Sequence, residues 1–120
     1  GSIINFSSIA WRGGAGNMAV YATAKAAVNG MTRALARAFG DDNIRVNSVE
    51  PGAVITERQK RLWFTAPGSI DAVVQRQMIK QVLLGDEIAR TVLFLASDEA
   101  RFLNGLTIPV DNGLYARPHH

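Results

Sequence analysis

Two stretches decide the fold: Ile3-Ile4-Asn5-Phe6-Ser7-Ser8, and I-R-V-N-S-V-E-P-G at residues 44–52. Each is a short run rich in β-branched or aromatic residues that ends at turn-forming residues, which is typical of a strand. Between them, residues 18–39 contain no proline, are rich in alanine and repeat apolar side chains at helical spacing. A strand, a long helix and a second strand in this order predict a right-handed crossover and a parallel sheet.

The rest of the chain continues the alternation. Helical turns are compatible with parts of residues 53–84, and Gly85-Asp86-Glu87 opens a further helix with acidic residues where the macrodipole favours them. Residues 106–110 (L-T-I-P-V) predict a last strand, in which Pro109 indicates a sheet edge or a strand end. We therefore expect an α/β protein, in which ligands bind beyond the carboxyl ends of the strands, near Ser7-Ser8 and residues 51–56.

Two details of the long helix follow from its sequence. The apolar residues that recur at helical spacing are expected to form one apolar face of the helix; they are Val20, Ala24, Ala27, Val28, Met31 and Leu35. Gly40 stands where a left-handed C-terminal cap is expected.

Composition bounds the class of protein. With 120 residues, 48% apolar and 19% charged, the chain has the size and balance of a single packed domain, residues 1–120. The absence of cysteine excludes disulfide scaffolds, cysteine zinc sites and thiol nucleophiles. Apolar runs fall far short of the ~20 residues that span a bilayer, and no secretory signal is recognisable, so we expect a cytoplasmic protein without a membrane partner.

Charge does not identify a partner. The 13 basic and 10 acidic residues give a formal charge of +3, and the basic residues are scattered. Nucleic-acid binders usually concentrate such charge on one face, so no nucleic-acid partner is expected. His119 and His120 at the end of the chain are typical of a tag remnant or a frayed terminus, and no metal site is predicted.

Tyr21 and Lys25 carry the clearest chemical signal. They are four residues apart on the predicted helix, so their side chains lie on one face, one turn apart. A free tyrosine holds its proton too tightly to act as a base near neutral pH, and a nearby cation stabilises the phenolate. Such a tyrosine can exchange a proton with an alcohol or carbonyl oxygen. The alternative is structural, with the ring packing under the lysine stem.

Ser8 ends the first predicted strand, 13 positions before Tyr21. A strand-to-helix connection of this length can return its hydroxyl to the edge of the Tyr21 ring, where it could bind the same substrate oxygen. The alternative is a serine that merely opens a loop or caps a turn.

The chain resembles the short-chain dehydrogenase/reductase family over essentially its whole length. The matching motifs, in order, are I-I-N-F-S-S, Y-A-T-A-K-A-A-V, I-R-V-N-S-V-E-P-G-A-V-I-T, V-L-F-L-A-S and G-L-T-I-P-V-D-N-G. The resemblance implies a Rossmann-like doubly wound parallel sheet and an NAD(P)-dependent oxidoreductase. By it, Ser8 orients the substrate, Tyr21 is the catalytic acid/base, and Lys25 assists Tyr21 and holds the nicotinamide ribose.

The same resemblance assigns further contacts to the cofactor, NAD or NADP. Pro51, Gly52, Val54 and Thr56 match the stretch that holds the nicotinamide carboxamide, Val54 through its backbone and Thr56 through its side chain. No G-x-x-x-G-x-G fingerprint occurs in the chain. The chain therefore resembles the C-terminal half of such an enzyme, with about three strands, and the residue that separates NAD from NADP in the family is not in it. Asn112 stands where the family commonly has glycine; asparagine tolerates a left-handed turn conformation.

Residues 53–84 are expected to cover the substrate. The pattern R-Q-x-x-L-W, from Arg58-Gln59 to Trp63, is similar to family members that oxidise free aldoses to lactones. Arg58, Gln59 and Trp63 offer the donors, amide and aromatic platform that suit a sugar, and Trp11 adds weak support. The alternatives are a packed lid without substrate contacts, a reductase of carrier-bound 3-oxoacyl groups, and a catalytically silent fragment or assembly module.

The long helix also predicts assembly. Small residues line a further side of it, namely Ala22, Ala26, Gly30 and Ala34. The resemblance implies that helices of two subunits meet there, so a homo-oligomer, a dimer or a tetramer, is expected. The alternative is that these small residues pack only against the chain's own sheet.

Overall fold

The computed structural model describes residues 1–115. Its three strands are β1 (Ser2–Phe6), β2 (Arg45–Pro51) and β3 (Thr107–Val110). Its five helices are α1 (Ala10–Gly13), α2 (Ala19–Phe39), α3 (Glu57–Leu62), α4 (Ser69–Arg76) and α5 (Gly85–Ala96). Short 3₁₀ turns occupy Gly40–Asp42 and Asp98–Ala100. The interpretation of His119 and His120 falls outside the described residues.

The strands form one parallel sheet in the order β1-β2-β3. Ile4 pairs with Asn47, and Val49 pairs with Ile108, so β2 has a neighbour on both sides. The predicted α/β fold with three parallel strands and flanking helices is confirmed. Pro109 lies in an edge strand of this sheet, where its missing N–H costs no ladder bond.

The main core lies between the sheet and α5. Val49 of β2, Ile88 and Leu95 of α5, and two residues of the flanking loops are buried together. Apolar side chains of β1, β3 and the segment after α5 pack around this cluster; they include Ile4, Leu103, Ile108 and Val110. The core therefore fixes α5 beneath the sheet and leaves the other face to α2.

The predicted apolar face of α2 is mostly exposed. Val20 is 86% and Met31 46% exposed, whereas Thr32 and Ala36 are buried against the sheet. The threonine can be buried because its hydroxyl is satisfied twice. It donates to the carbonyl of Val28 at 2.8 Å and accepts from Asn5 Nδ2 at 3.1 Å. Hydrogen bonding to β1 thus outweighs the apolar periodicity, and Ala24 and Ala27 are also left exposed.

The predicted left-handed conformation is found in the turn after β3 but not at Gly40 after α2. Gly40 has right-handed helical angles (φ −59°, ψ −39°), so the expected left-handed cap is not there. Asn43, three residues later, is left-handed with φ 58° and closes the 3₁₀ turn. Asn112 has φ 53°, which confirms that this position needs a residue tolerant of that conformation.

Gly52 is confined by the turn that follows β3. A Cβ atom at Gly52 would lie 2.6 Å from Cβ and 2.7 Å from Cα of Asp111. We expect Gly52→Ala to lower the free energy of unfolding by about 1–3 kcal/mol, because the backbone of residue 111 would have to shift.

Gly85→Ala is the matched control for this substitution. No atom outside the helix's own backbone lies within 4 Å of a Cβ at Gly85, which is exposed in the first turn of α5. Alanine there should stabilise by about 0.4–1 kcal/mol. Thermal unfolding of the two variants in the native protein should show Tm shifts of opposite sign. Equal shifts would contradict the close approach at Gly52.

Candidate active site at the carboxyl ends of β1 and β2

The chain continues beside the end of β2 after β1 has ended. The N–H of Ser7 donates to the carbonyl of Val49 at 2.8 Å, and the N–H of Ile9 donates to that of Pro51 at 3.3 Å. Ser8 lies between these two bonds and is 9% exposed. Its Oγ accepts from the N–H of Ala10 at 3.1 Å, so its own hydrogen is left to donate to a ligand.

Lys25 lies between Tyr21 and the end of β1. Its Nζ is 5.8 Å from the centroid of the Tyr21 ring, and it donates to the carbonyl of Phe6 at 3.3 Å. The hydroxyl of Ser7, the residue after β1, donates to the carbonyl of Lys25 at 2.7 Å, which adds a further bond between α2 and this strand end. The structure thus brings the Lys25 ammonium to the strand end that carries Ser8. Ser7 was not predicted as a site residue, because the sequence of two adjacent serines does not show which hydroxyl binds α2.

Tyr21 lies at the surface of the described part of the chain. Its side chain is partly exposed (43%), and its Oη forms no hydrogen bond with any of residues 1–115. A phenol in this position can bind a substrate oxygen. The ammonium over the ring is a cation–π arrangement, which both the catalytic and the structural interpretation of the pair allow. The catalytic role therefore stays a prediction.

Residues 51–56 form the adjoining part of the edge. The N–H of Gly52 donates to Val110, and Thr56 caps α3 by accepting from the N–H of Gln59 at 3.1 Å. The N–H of Val54 already donates to the carbonyl of Gly52 at 2.9 Å, so a cofactor contact through that group would have to share it. The chemistry of this donor set fits a nicotinamide nucleotide, since Lys25 and Thr56 both retain hydrogens for hydroxyl and carboxamide groups.

The predicted substrate residues follow on α3. Arg58 and Gln59 lie on this helix, and Trp63, immediately after it, is 70% exposed. Among the described residues, no hydrogen bond joins their side chains to Ser8, Tyr21 or Lys25. Hydrogen bonds place Ser8 next to Pro51 and bring Lys25 to the end of β1, whereas the predicted lid residues lie on and directly after α3.

Glu50 is a site residue that the sequence interpretation missed. It is fully buried at the end of β2. Its carboxylate accepts from Trp11 Nε1 at 2.6 Å, from Arg12 Nη2 at 2.7 Å and from Asn29 Nδ2 at 3.1 Å. The indole N–H of Trp11 is therefore engaged with Glu50, which removes the weak support that Trp11 gave to a sugar platform. The signal was present in V-N-S-V-E-P-G, because a charged residue within a buried strand needs partners.

Two other kinds of feature are absent from residues 1–115. None of the helices there combines the length and the apolar character that crossing a membrane requires. No group of three or more histidine, aspartate or glutamate side chains in the same range could hold a metal ion.

Comparison with known proteins identifies related sequences. A family model described as enoyl-(acyl carrier protein) reductase matches residues 1–115. The chain is 44% identical over 115 residues to a probable galactose dehydrogenase of Rhizobium meliloti, covering 96% of the chain and 44% of that protein. It is 45% identical over 113 residues to D-xylose 1-dehydrogenase of Caulobacter vibrioides, covering 94% of the chain and 45% of that protein. It is 38% identical over 115 residues to a 3-oxoacyl-[acyl-carrier-protein] reductase of Pseudomonas aeruginosa, with coverages of 96% and 45%.

Solved structures give the same result. A 4-hydroxyisoleucine dehydrogenase complexed with NADH superposes with a TM-score of 0.89 at 31% identity, covering 98% of this chain and 48% of that one. An Agrobacterium tumefaciens protein with bound NADP, described as a 2-deoxy-D-gluconate 3-dehydrogenase, gives a TM-score of 0.88 at 28% identity, with coverages of 98% and 47%. The chain spans a little under half the length of the curated relatives it matches. It belongs to the short-chain dehydrogenase/reductase family, whose members bind NAD or NADP.

Proposed function

We propose that the native protein containing this chain is an NAD(P)-dependent oxidoreductase that interconverts an alcohol and a carbonyl group. The observation that carries the proposal is the position of Lys25, whose ammonium lies over the Tyr21 ring and is held to the end of β1 beside Ser8. This arrangement supports an acid/base site made of Ser8, Tyr21 and Lys25.

Each side chain has one task in the proposed reaction. In the oxidative direction, Tyr21 as phenolate takes the hydroxyl proton of the substrate, and the Ser8 hydroxyl donates a hydrogen bond to the same oxygen. The Lys25 ammonium stabilises the phenolate that begins the step. NAD or NADP, when bound, supplies the hydride acceptor, or the donor in the reverse direction. In reduction, Tyr21 returns the proton to the carbonyl oxygen.

The cofactor contacts follow from the donors at the same edge. Lys25 retains hydrogens for ribose hydroxyls, and the Thr56 hydroxyl can donate to the carboxamide. Pro51, Gly52 and Val54 would border the nicotinamide through their backbone.

We propose a free aldose, oxidised at C1 to a lactone, as the substrate. The names of two relatives, a galactose and a D-xylose dehydrogenase, favour a sugar, and the partly exposed Arg58, Gln59 and Trp63 offer groups that bind one. The second candidate is a carrier-bound 3-oxoacyl group, which is favoured by the 3-oxoacyl reductase relative.

A catalytically silent fragment or assembly module is the alternative of a different class. Titration of the native protein with NAD(H) and NADP(H), followed by nicotinamide fluorescence, separates the two. Saturable binding supports the enzyme, and the absence of binding supports the fragment.

Replacement of Tyr21 tests the chemistry. We expect Tyr21→Phe in the native protein to lower kcat by a factor of about 10²–10⁴, which is the usual contribution of a positioned proton-transfer group. Cofactor affinity, measured by the same fluorescence titration, should change little, because the aromatic ring is retained. A variant that keeps most of its activity would show that Tyr21 and Lys25 form only a structural pair.

Replacement of Gln59 tests the substrate class. We expect Gln59→Leu to lower kcat/KM for a free pentose or hexose at least tenfold, since a lost hydrogen bond to a bound hydroxyl leaves a desolvated group that costs roughly 1–3 kcal/mol. Turnover of a simple cyclic alcohol, if measurable, should change little and serves as the control. Equal losses on both substrates would mean that α3 was only destabilised. Activity on a 3-oxoacyl thioester with none on aldoses would favour the second candidate.

Assembly is a separate proposal: the chain pairs with a second copy through α2. Gly30 and Ala34 of the predicted small-residue side are exposed, and so are the neighbouring Val20 and Met31. We expect light scattering of the native protein to give the mass of a dimer or tetramer. Met31→Glu should dissociate it, because a charge would be buried at the contact, whereas Glu99→Gln in a distant 3₁₀ turn should not. A monomer that still binds cofactor would contradict the proposal.

A cytoplasmic location and the absence of a nucleic-acid partner stay predictions.

A further inference from the structure

We propose that Glu50 is a positioning residue for the reaction, which fixes the Ser8 hydroxyl through helix α1. The inference rests on the proposed function, because it takes Ser8 as the group that orients the substrate oxygen. It assigns a role to a buried carboxylate that the acid/base chemistry of Tyr21 and Lys25 does not use.

The carboxylate of Glu50 holds helix α1 against the end of β2. Glu50 has no accessible surface, and the side chain of its ion-pair partner Arg12 is 39% exposed. Arg12 Nε and Nη2 donate to one carboxylate oxygen at 3.1 and 2.7 Å, while Trp11 Nε1 donates to the other at 2.6 Å. The guanidinium also lies 4.7 Å from the centroid of the Trp11 ring. Two consecutive residues of one short helix are thus bound to a single fixed acceptor.

Helix α1 transmits this constraint to Ser8. The N–H of Ala10, the first residue of α1, donates to Ser8 Oγ at 3.1 Å. This bond sets the direction of the hydroxyl oxygen, and it holds only while α1 stays in place. Ala10 is next to Trp11, so a displacement of the Trp11–Arg12 pair would move the donor that orients Ser8.

The same carboxylate reaches the helix that carries the acid/base pair. Asn29, one turn after Lys25 on α2, donates to Glu50 at 3.1 Å and accepts from the Ser48 hydroxyl at 3.4 Å. Glu50 therefore binds both α1, which follows Ser8, and α2, which carries Tyr21 and Lys25. An error in its position would change the relation between Ser8 and Tyr21.

A contribution to folding stability alone does not explain why a carboxylate is buried at Glu50. Replacing a buried ion pair by packed apolar residues is often neutral or stabilising, because desolvation offsets the attraction of the charges. The carboxylate supplies fixed acceptor directions on both of its oxygens, and this is the property that positioning a hydroxyl requires.

A double-mutant comparison tests the inference in the native protein. Glu50→Gln keeps the volume but places an amide N–H₂ against the donors of α1. We expect it to lower kcat/KM by roughly 10- to 100-fold, the cost of a misplacement of about 1 Å. In a Ser8→Ala background the same substitution should change kcat/KM by less than about threefold, since the group it positions is already gone. The exposed Glu99→Gln, in the 3₁₀ turn after α5, is the matched control and should leave both backgrounds unchanged.

The outcomes are distinct. An equal loss in both backgrounds, or no loss in the parent, would overturn the inference and leave the proposed function intact. If Ser8→Ala alone changes nothing, the proposed role of Ser8 fails, and the inference fails with it. Should Glu50→Gln not fold, Trp11→Phe decides. It removes the Nε1–H donor while keeping an aromatic ring at this position, and it should cost roughly fivefold, as for one hydrogen bond, in the parent and nothing in Ser8→Ala.

Discussion

The complete burial of the interior of β2 is the constraint on which the rest of the structure depends. Residues 46–50 have no accessible surface, and three of them, Asn47, Ser48 and Glu50, are polar. Burying a polar group without a partner costs roughly 2–7 kcal/mol, so each of these side chains has to bind a segment distant in sequence. Their partners lie in α1, in α2 and in the loop before β3. The buried polar side chains of β2 thereby hold these segments against the strand.

The buried polar side chains at the two ends of β2 bind different parts of the chain. Near its amino end, Asn47 donates to the carbonyl of Leu103 and accepts from the N–H of Leu106, which fixes the loop that leads into β3. At its carboxyl end, Glu50 accepts hydrogen bonds from side chains of α1 and α2. The first end serves the fold alone. The second lies where ligands of parallel sheets bind, so the same type of bond there also fixes the geometry of the candidate site.

Exposed apolar side chains in the described part of the chain include residues of β1 and of α2. Ile3 and Phe6 of the edge strand β1 are 38% and 45% exposed, and α2 leaves Val20 and Met31 uncovered. In the related structures the aligned segment makes up a little under half of a longer chain. An edge strand and an apolar helix face are surfaces that further protein normally covers. The interior of β2 is covered within residues 1–115, whereas these outer surfaces are not covered there.

Local sequence determined the elements and part of the site. The strands, the long helix and the spacing of Tyr21 and Lys25 could be predicted, because periodicity and helical geometry depend on neighbouring residues only. The prediction that Asn112 tolerates a left-handed turn succeeded for the same reason. The motifs also sufficed to identify the family, and they placed Ser8 and Pro51 at one edge through the rule for parallel sheets.

Tertiary structure decided which surfaces became interior and which polar groups met. Thr32 faces the sheet in preference to the apolar stripe of α2 because Asn5, on a different element, satisfies its hydroxyl. Glu50 is buried because Trp11, Arg12 and Asn29 converge on it from segments 21–39 residues away. The sequence names each of these residues, but pairing between distant groups arises only when the chain has folded, since it depends on the relative placement of whole elements.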